Sequence, residues 1–320
     1  MVRTIGVLTS GGDSPGMNAA VRAVTRTALA KGIFVKGILR GYNGLLNNEM
    51  IEMDIRTVSE IIHRGGTIIG TARCLEFKEW NNVLKAADVC RQNKIDGIVV
   101  IGGDGSFRGA ADLSARGIPC VGIPGTIDND ISMSEYTIGY DTAMNTAMQM
   151  VDKLRDTSQS HDRCSVVEVM GRNAGYIAVN TGVACCAIYI IVPEIPWDID
   201  VVCDKINNTQ TTGKHHFIVV VSEGVGNAEE IAKTIEKKTG VESRATILGH
   251  VQRGGSPTIR DRVAASRLGY YAVQLLYEGK GNRVVGIQKN EIVDYDIQEA
   301  LSMKKSFEND LFKIAGEISF

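Results

Sequence analysis

The chain has 320 residues, of which 44% are hydrophobic and 22% charged, and a formal net charge of −2. That length is greater than a typical single domain and implies two domains of roughly 150 residues. The composition is ordinary for a well-packed globule, and the absence of any block of five or more like charges argues against nucleic acid as a partner. No apolar run approaches the ~18 residues needed to span a bilayer. Met1 to Thr4 runs directly into a strand pattern with no signal-peptide core, so a cytoplasmic protein that engages no membrane is expected. The seven cysteines are odd in number and show no Cys-x-x-Cys spacing, and Cys120, Cys164 and Cys185 sit in or beside apolar runs, which reads as small buried hydrophobes.

In chain order, Thr4 to Thr9 reads as a strand, Ser10-Gly11-Gly12-Asp13-Ser14-Pro15-Gly16 as a glycine turn, and Met17 to Lys31 as a helix with Pro15 near its first turn. Arg22 and Arg26 lie four apart on one face of that helix. Phe34 to Leu39 is an expected strand, followed by a loop with Gly41 and Gly44 and a polar segment to His63. Arg64 to Arg73 is a glycine- and threonine-rich stretch, and Trp80 to Gln92 has helical spacing.

The centre of the pattern is Ile98-Val99-Val100-Ile101-Gly102-Gly103-Asp104-Gly105-Ser106, a β-branched run feeding a glycine turn, with a helical pattern from Phe107. Glycines let backbone approach closely, and a helix N-terminus points N–H groups at negative charge. An aspartate beside phosphates makes sense where it holds Mg²⁺, which neutralises them. Pro119 to Ile123 is another short strand, ending in Pro124-Gly125-Thr126-Ile127-Asp128-Asn129-Asp130, where two carboxylates sit just past a strand end. Open α/β sheets bind ligands at that place.

Thr142 to Leu154 is an amphipathic helix whose methionines mark core packing. Ser165 to Met170 is a strand leading to Gly171-Arg172-Asn173-Ala174-Gly175 and a further helix. Ala187 to Val192 and Phe217 to Val221 are expected strands, the second ending in Ser222-Glu223-Gly224. Ala228 to Lys238 is helical, Arg244 to His250 strand-like, and Asp261 to Tyr277 a long helix. Val284 to Gln288 and Glu291 to Asp294 form a hairpin across Lys289-Asn290. Alternating strands and helices indicate an α/β fold, two similar doubly wound, Rossmann-like lobes with mainly parallel sheets and a cleft between them.

Gly11-Gly12-Asp13 with Pro15 to Asn18, Gly102 to Ser106, Pro124 to Asp130, Met170-Gly171-Arg172, and Arg244 through Gly249 to Gly255 together resemble the bacterial ATP-dependent 6-phosphofructokinases. The resemblance runs from Ile5 to about Lys305. It implies phosphorylation of fructose 6-phosphate at the 1-hydroxyl by ATP with Mg²⁺, the committed step of glycolysis, in an allosteric homotetramer. It also implies an ATP lobe of residues 1–138 plus 252–301 and a sugar-phosphate lobe of residues 139–251 plus 302–320.

Position by position, Asp128 matches the family's general base and Thr126 and Arg73 its groups on the transferring phosphoryl, with Arg172 close by. Asp104 matches the Mg²⁺ ligand. Gly12, Gly103, Gly105 and Ser106 match the nucleotide turns, with Arg73 and Cys74 beside them. Thr126, Ile127, Met170, Gly171, Arg172, Glu223, His250, Val251, Gln252 and Arg253 match the sugar-phosphate side. Arg163 and Arg244 match arginines that reach that substrate from a neighbouring subunit. No Walker lysine motif occurs in the chain, so arginines, Mg²⁺ and backbone N–H groups must meet the phosphate charge.

Pyrophosphate-dependent relatives carry Asp where Gly105 stands and Lys where Gly125 stands, so both glycines point to ATP. Lipid and NAD kinases share the Gly-Gly-Asp-Gly turn but lack the Arg244 to Gly255 segment. A catalytically weak regulatory homologue would have lost Asp128, Asp104 or Arg73, and all three are present. Arg22, Arg26, Arg155, Lys214 and His216 match the family's pocket for ADP or phosphoenolpyruvate. Ile188 stands where relatives carry an acid that serves the Mg²⁺ of ADP, Thr212 where a lysine is common, and Ile55 where an arginine is common. Activation by Mg-ADP is therefore expected to be weakened more than inhibition by phosphoenolpyruvate, unless Glu194 or a water replaces the missing ligand.

Overall fold

The computed structural model describes residues 2–319. The elements are β1 (Thr4–Thr9), α1 (Met17–Ala30), β2 (Phe34–Ile38), α2 (Gly41–Leu46), β3 (Met50–Met53), α3 (Trp80–Gln92), β4 (Gly97–Gly102), α4 (Asp104–Ser114) and β5 (Cys120–Pro124). They continue with α5 (Tyr140–His161), β6 (Cys164–Val169), α6 (Tyr176–Ala184), β7 (Tyr189–Ile191), α7 (Ile199–Gln210), β8 (Phe217–Ser222), α8 (Ala228–Thr239) and β9 (Ser243–Ile247). The chain closes with α9 (Ile259–Tyr277), β10 (Arg283–Gln288), β11 (Glu291–Asp296), α10 (Ile297–Ser302) and α11 (Asn309–Ile318).

Two compact units form. One holds Met1–Ile127, Ile131–Thr142 and Arg253–Lys305; the other holds Asp128–Asp130, Ala143–Gln252 and Ser306–Phe320. Each is an α/β unit with a largely parallel sheet.

The first unit has a seven-stranded sheet in the order β11-β10-β5-β4-β1-β2-β3. It is parallel except at its edges, where β3 runs against β2 and β11 against β10. All six residues of β4 are buried, as expected of a central parallel strand covered on both faces. From β1 the chain moves to β2 on one side and then to β4 on the other. The reversal between β1 and β4 is the topological switch at which such sheets hold ligands. Both glycine turns leave the sheet there, and Ser10 N donates to Ile101 O at 2.9 Å. Phe107, Leu8, Ile98 and Val284 belong to the apolar core beneath.

The second unit has a four-stranded, all-parallel sheet in the order β7-β8-β6-β9. Its core includes Val166, Ile188, Val219 and Phe217. Phe217 is 1% exposed, and truncating such a side chain to alanine typically costs about 3–5 kcal/mol. Its chain order also reverses at β6, with β7 and β8 to one side and β9 to the other.

Several elements differ from the sequence reading. α5 extends to His161 because its polar last turns remain helical beyond the apolar stripe. α2 and β3 occupy a stretch expected as loop and polar segment; β3 is short, and its Ile51 and Glu52 are exposed at the sheet edge, so no apolar pattern marks it. α7 is mixed in polarity and is started by Asp198, whose side chain accepts from Asp200 N at 2.9 Å.

Candidate active site

In the first unit the two glycine turns lie side by side. A Cβ on Gly102 would meet Ser10 O at 2.5 Å and Ser106 Oγ at 2.5 Å, so the turns can be this close only with glycine there. Ser106 Oγ donates to Ser10 O at 3.1 Å, and Tyr42 Oη donates to Ser106 O at 2.5 Å. The helix α4 begins at Asp104, so its first amides open toward the turn. Asp104 is half-buried, Gly105 is exposed, and a Cβ at Gly103 or Gly105 would meet nothing within 4 Å. A single carboxylate beside open space suits a hard cation that arrives with phosphate oxygens and keeps waters. No group of three His, Cys, Asp or Glu residues that could hold a metal occurs among the described residues.

The Arg64 to Arg73 loop is bound to the first turn. Buried Asn18 donates from Nδ2 to Arg64 O and Gly65 O, both at 3.1 Å, and accepts from Ile68 N at 2.8 Å. Thr71 Oγ1 donates to Gly11 O at 2.9 Å, leaving Arg73 exposed two residues further on. Cys74 next to it is half-buried, and burial pushes its thiol above the usual value. Arg253 also joins this turn: its guanidinium packs on Gly12 and donates to Asp13 O at 3.0 Å.

In the second unit, Asp128 is 2% exposed. Arg172 Nε stands 3.7 Å from Asp128 Oδ2, and Arg172 Nη1 stands 3.8 Å from Asp130 Oδ2. Arg172 and Asn129 adopt left-handed backbone, φ 56° and 52°. The carboxyl ends of β6, β8 and β9 meet around these residues. Glu223 Oε1 accepts from Arg172 N at 2.5 Å and Gly171 N at 3.3 Å. Gln252 is buried, and its Oε1 accepts from Met170 N at 2.8 Å. His250 and Val251 are exposed beside it. The tip of this unit is therefore a set of loop amides fixed by buried or half-buried acceptors, with one mobile-length guanidinium at the carboxylates.

Arg163 and Arg244 lie at the opposite end, where β6 and β9 begin. Arg163 Nε is 2.8 Å from Glu242 Oε2, and Arg244 Nη2 donates to Glu242 Oε1 at 2.6 Å. The guanidinium of Arg163 is the main cause holding the Glu242 carboxyl below its usual range. At the same end, Arg155 donates to Cys185 O, and Lys214 and His216 precede β8. Burial, then the Arg155 charge, pulls the Lys214 ammonium down. Burial, Lys214 and Arg155 pull His216 down against Asp162. Arg22 and Arg26 are half-buried on α1 in the first unit, and Arg26 Nε is buried with no acceptor among the described residues. Ile188 is 2% exposed in the apolar core, where it offers no oxygen ligand, and Glu194 Oε1 is engaged by Gly175 N at 2.8 Å.

The sequence pattern of the family described as phosphofructokinase matches residues 4–276. The ATP-dependent 6-phosphofructokinase of Clostridium botulinum (strain Loch Maree / Type A3) is 58% identical over 318 residues, covering 99% of this chain and 100% of that protein. The chain belongs to the phosphofructokinase family.

Phosphofructokinase from Saccharomyces cerevisiae superposes with a TM-score of 0.90 at 34% identity, covering 99% of this chain and 48% of that one, so the chain spans about half the yeast subunit's length. A pyrophosphate-dependent phosphofructokinase from Marinobacter aquaeolei, 21% identical, shares the fold with a TM-score of 0.87, covering 100% of this chain and 92% of that one. The sequence placed Asn18 in a phosphofructokinase motif without its role, which is to hold the Arg73 loop, and gave no sign of Glu242, which collects Arg163 and Arg244. Glu242 becomes visible only once β6 and β9 are paired, with Cys164 opposite Ser243.

Proposed function

We propose that this chain transfers the γ-phosphoryl of ATP to the 1-hydroxyl of fructose 6-phosphate, giving fructose 1,6-bisphosphate and ADP in the cytoplasm. The observation that carries it is the 58% identity, over essentially the whole of both chains, with enzymes named ATP-dependent 6-phosphofructokinase. The site chemistry supports it. Asp128 takes the proton of the 1-hydroxyl as that oxygen bonds to the γ-phosphorus, the bond to the β-phosphate oxygen breaks, and ADP leaves. The guanidinium of Arg172, within 4 Å of Asp128, is long enough to turn onto the transferring phosphoryl. Thr126 and Arg73 have the same role. Asp104 would hold Mg²⁺ arriving with ATP, and the ion would supply charge neutralisation across the phosphates.

The first unit then takes the nucleotide at Gly12, Gly103, Gly105 and Ser106, beside Arg73 and Cys74. The second takes the sugar phosphate at Met170, Gly171, Arg172, Glu223, His250, Val251 and Gln252. Open space at Gly105 supports ATP over pyrophosphate, because that turn can accept a nucleotide without a side chain in the way. β6 is six residues long, about 20 Å at ~3.3 Å per residue, which separates Arg163 and Arg244 from Glu223 of the same unit. Those arginines therefore serve a neighbouring subunit, in keeping with a homotetramer. Arg22, Arg26, Arg155, Lys214 and His216 take an anionic effector, with phosphoenolpyruvate favoured over Mg-ADP because Ile188 cannot serve a cation. A coupled assay offering ATP or pyrophosphate with fructose 6-phosphate tests the reading: turnover with ATP is expected, and turnover with pyrophosphate alone would overturn it.

A further inference from the structure

Asp261 is the third residue of α9 and is completely buried. Its carboxylate accepts four hydrogen bonds, two on each oxygen. Oδ1 receives Tyr136 Oη at 2.5 Å and Gly139 N at 2.6 Å. Oδ2 receives Thr142 N at 2.9 Å and Thr142 Oγ1 at 2.5 Å. Thr142 Oγ1 also accepts from Thr258 N at 3.1 Å, and Thr258 caps α9, so one short network closes on itself. Arg260 lies over the Tyr136 ring, 4.5 Å from its centroid.

What this carboxylate holds is the segment from Tyr136 to Thr142, and that segment in turn holds the strand end ahead of Asp128. Thr137 Oγ1 donates to Thr126 O at 2.6 Å, and Ile138 N donates to Pro124 O at 2.9 Å. Gly125 and Ile138 form an isolated parallel bridge. The nucleotide turn is packed on the same node. A Cβ on Gly16 would meet Ile138 at 2.6 Å and Asp261 Cβ at 3.5 Å, and a Cβ on Gly139 would meet Ser14 at 2.6 Å. A carboxylate is the one side chain that can satisfy four converging donors here, since an amide or an alcohol supplies fewer acceptor sites.

We propose that Asp261 is a positioning residue for phosphoryl transfer: by fixing Tyr136 to Thr142 it holds Thr126, and the start of the loop bearing Asp128, in the reacting geometry. This role rests on the phosphofructokinase reading above. It acts through backbone placement and touches neither substrate.

The test compares wild type with Asp261→Asn, whose amide NH₂ must face one of the two donor pairs whichever way it turns, and with Tyr136→Phe, which removes a single donor. Each variant is first shown to be folded at the assay temperature by circular dichroism. Asp261→Asn is expected to lose roughly tenfold or more in kcat, with both substrate KM values within about twofold of wild type, and Tyr136→Phe to lose less. Amide hydrogen exchange should quicken by about tenfold at residues 125–130 and stay unchanged in β4. Wild-type kcat and wild-type exchange at 125–130 in folded Asp261→Asn would overturn the role. So would faster exchange throughout β4, which marks general loosening. Should Asp261→Asn fail to fold, Tyr136→Phe and Thr142→Val carry the same two readouts. A wild-type chain that turns over no fructose 6-phosphate with ATP would instead refute the functional reading, and exchange would still decide whether Asp261 fixes the loop.

Discussion

Replacing Gly105 by aspartate separates what the central turn does for the fold from what it does for a nucleotide. Gly105 is the second residue of α4, exposed, and an added Cβ meets nothing within 4 Å. The protein alone therefore tolerates the side chain. An acid in the first turn of a helix gains about 0.3–1 kcal/mol from the helix dipole, and loss of the glycine adds a few tenths of a kcal/mol. Asp104 is the chain neighbour and points to another face. Gly105→Asp is thus expected to melt about 1–4 °C above wild type. ATP binding moves the other way. A carboxylate about 5 Å from a phosphate charge costs about 1–3 kcal/mol at effective dielectric values between water and the protein surface. That corresponds to a KM for ATP raised roughly 5- to 150-fold. Initial rates against ATP at saturating fructose 6-phosphate, with thermal melts alongside, read both effects. Gly105→Asn supplies the same shape without charge and should lose far less. Unchanged ATP KM and kcat in Gly105→Asp would refute nucleotide binding at this turn, and equal losses in the Asn and Asp variants would refute the electrostatic explanation.

Two further outcomes follow from the second unit. Glu223→Ala frees Gly171 N and Arg172 N and should raise the KM for fructose 6-phosphate about tenfold or more, while Glu223→Gln, which keeps one acceptor, loses less; an unchanged KM in Glu223→Ala would contradict the assigned role. His216 is held below the ordinary value of about 6.5 by burial, Lys214 and Arg155. A base with a lowered folded pKa is neutral in the fold, so its contribution to stability is present above the ordinary value and is lost as pH falls through it toward the depressed one. A bound anion reverses the depression, so phosphoenolpyruvate should bind with proton uptake and more tightly at pH 6 than at pH 7.5. Calorimetry in two buffers, wild type against His216→Gln, checks this; identical proton uptake in both proteins would contradict it.

The sequence showed most of what builds the first unit. β1 and β4 are apolar, β-branched runs ended by glycines, and α3 has clean helical spacing over Trp80–Gln92. The loops at the carboxyl ends of those strands were legible for the same reason: a buried parallel strand must stop, and glycine with an acid marks where. Features created by pairing were not legible. Glu242 collects Arg163 and Arg244 only because β6 and β9 lie in a particular register. Asp261 reads as an ordinary first-turn acid until the segment 119 or more residues earlier folds onto it. α7 and the late turns of α5 carry too few apolar residues to announce themselves, and tertiary packing decides them. Ile188, noted in the sequence as standing where relatives carry a cation-serving acid, is 2% exposed in the apolar core of the second unit and offers no oxygen ligand.

The central claim is that Asp128 takes the proton from the sugar hydroxyl. Asp128→Ser, assayed for kcat with ATP and separately for fructose 6-phosphate binding by calorimetry, tests it most directly. A general base contributes typically 10²–10⁴-fold, so kcat should fall by about that factor while the sugar phosphate still binds within a few-fold of wild type. A folded Asp128→Ser enzyme that kept more than about a tenth of wild-type kcat would contradict the assignment.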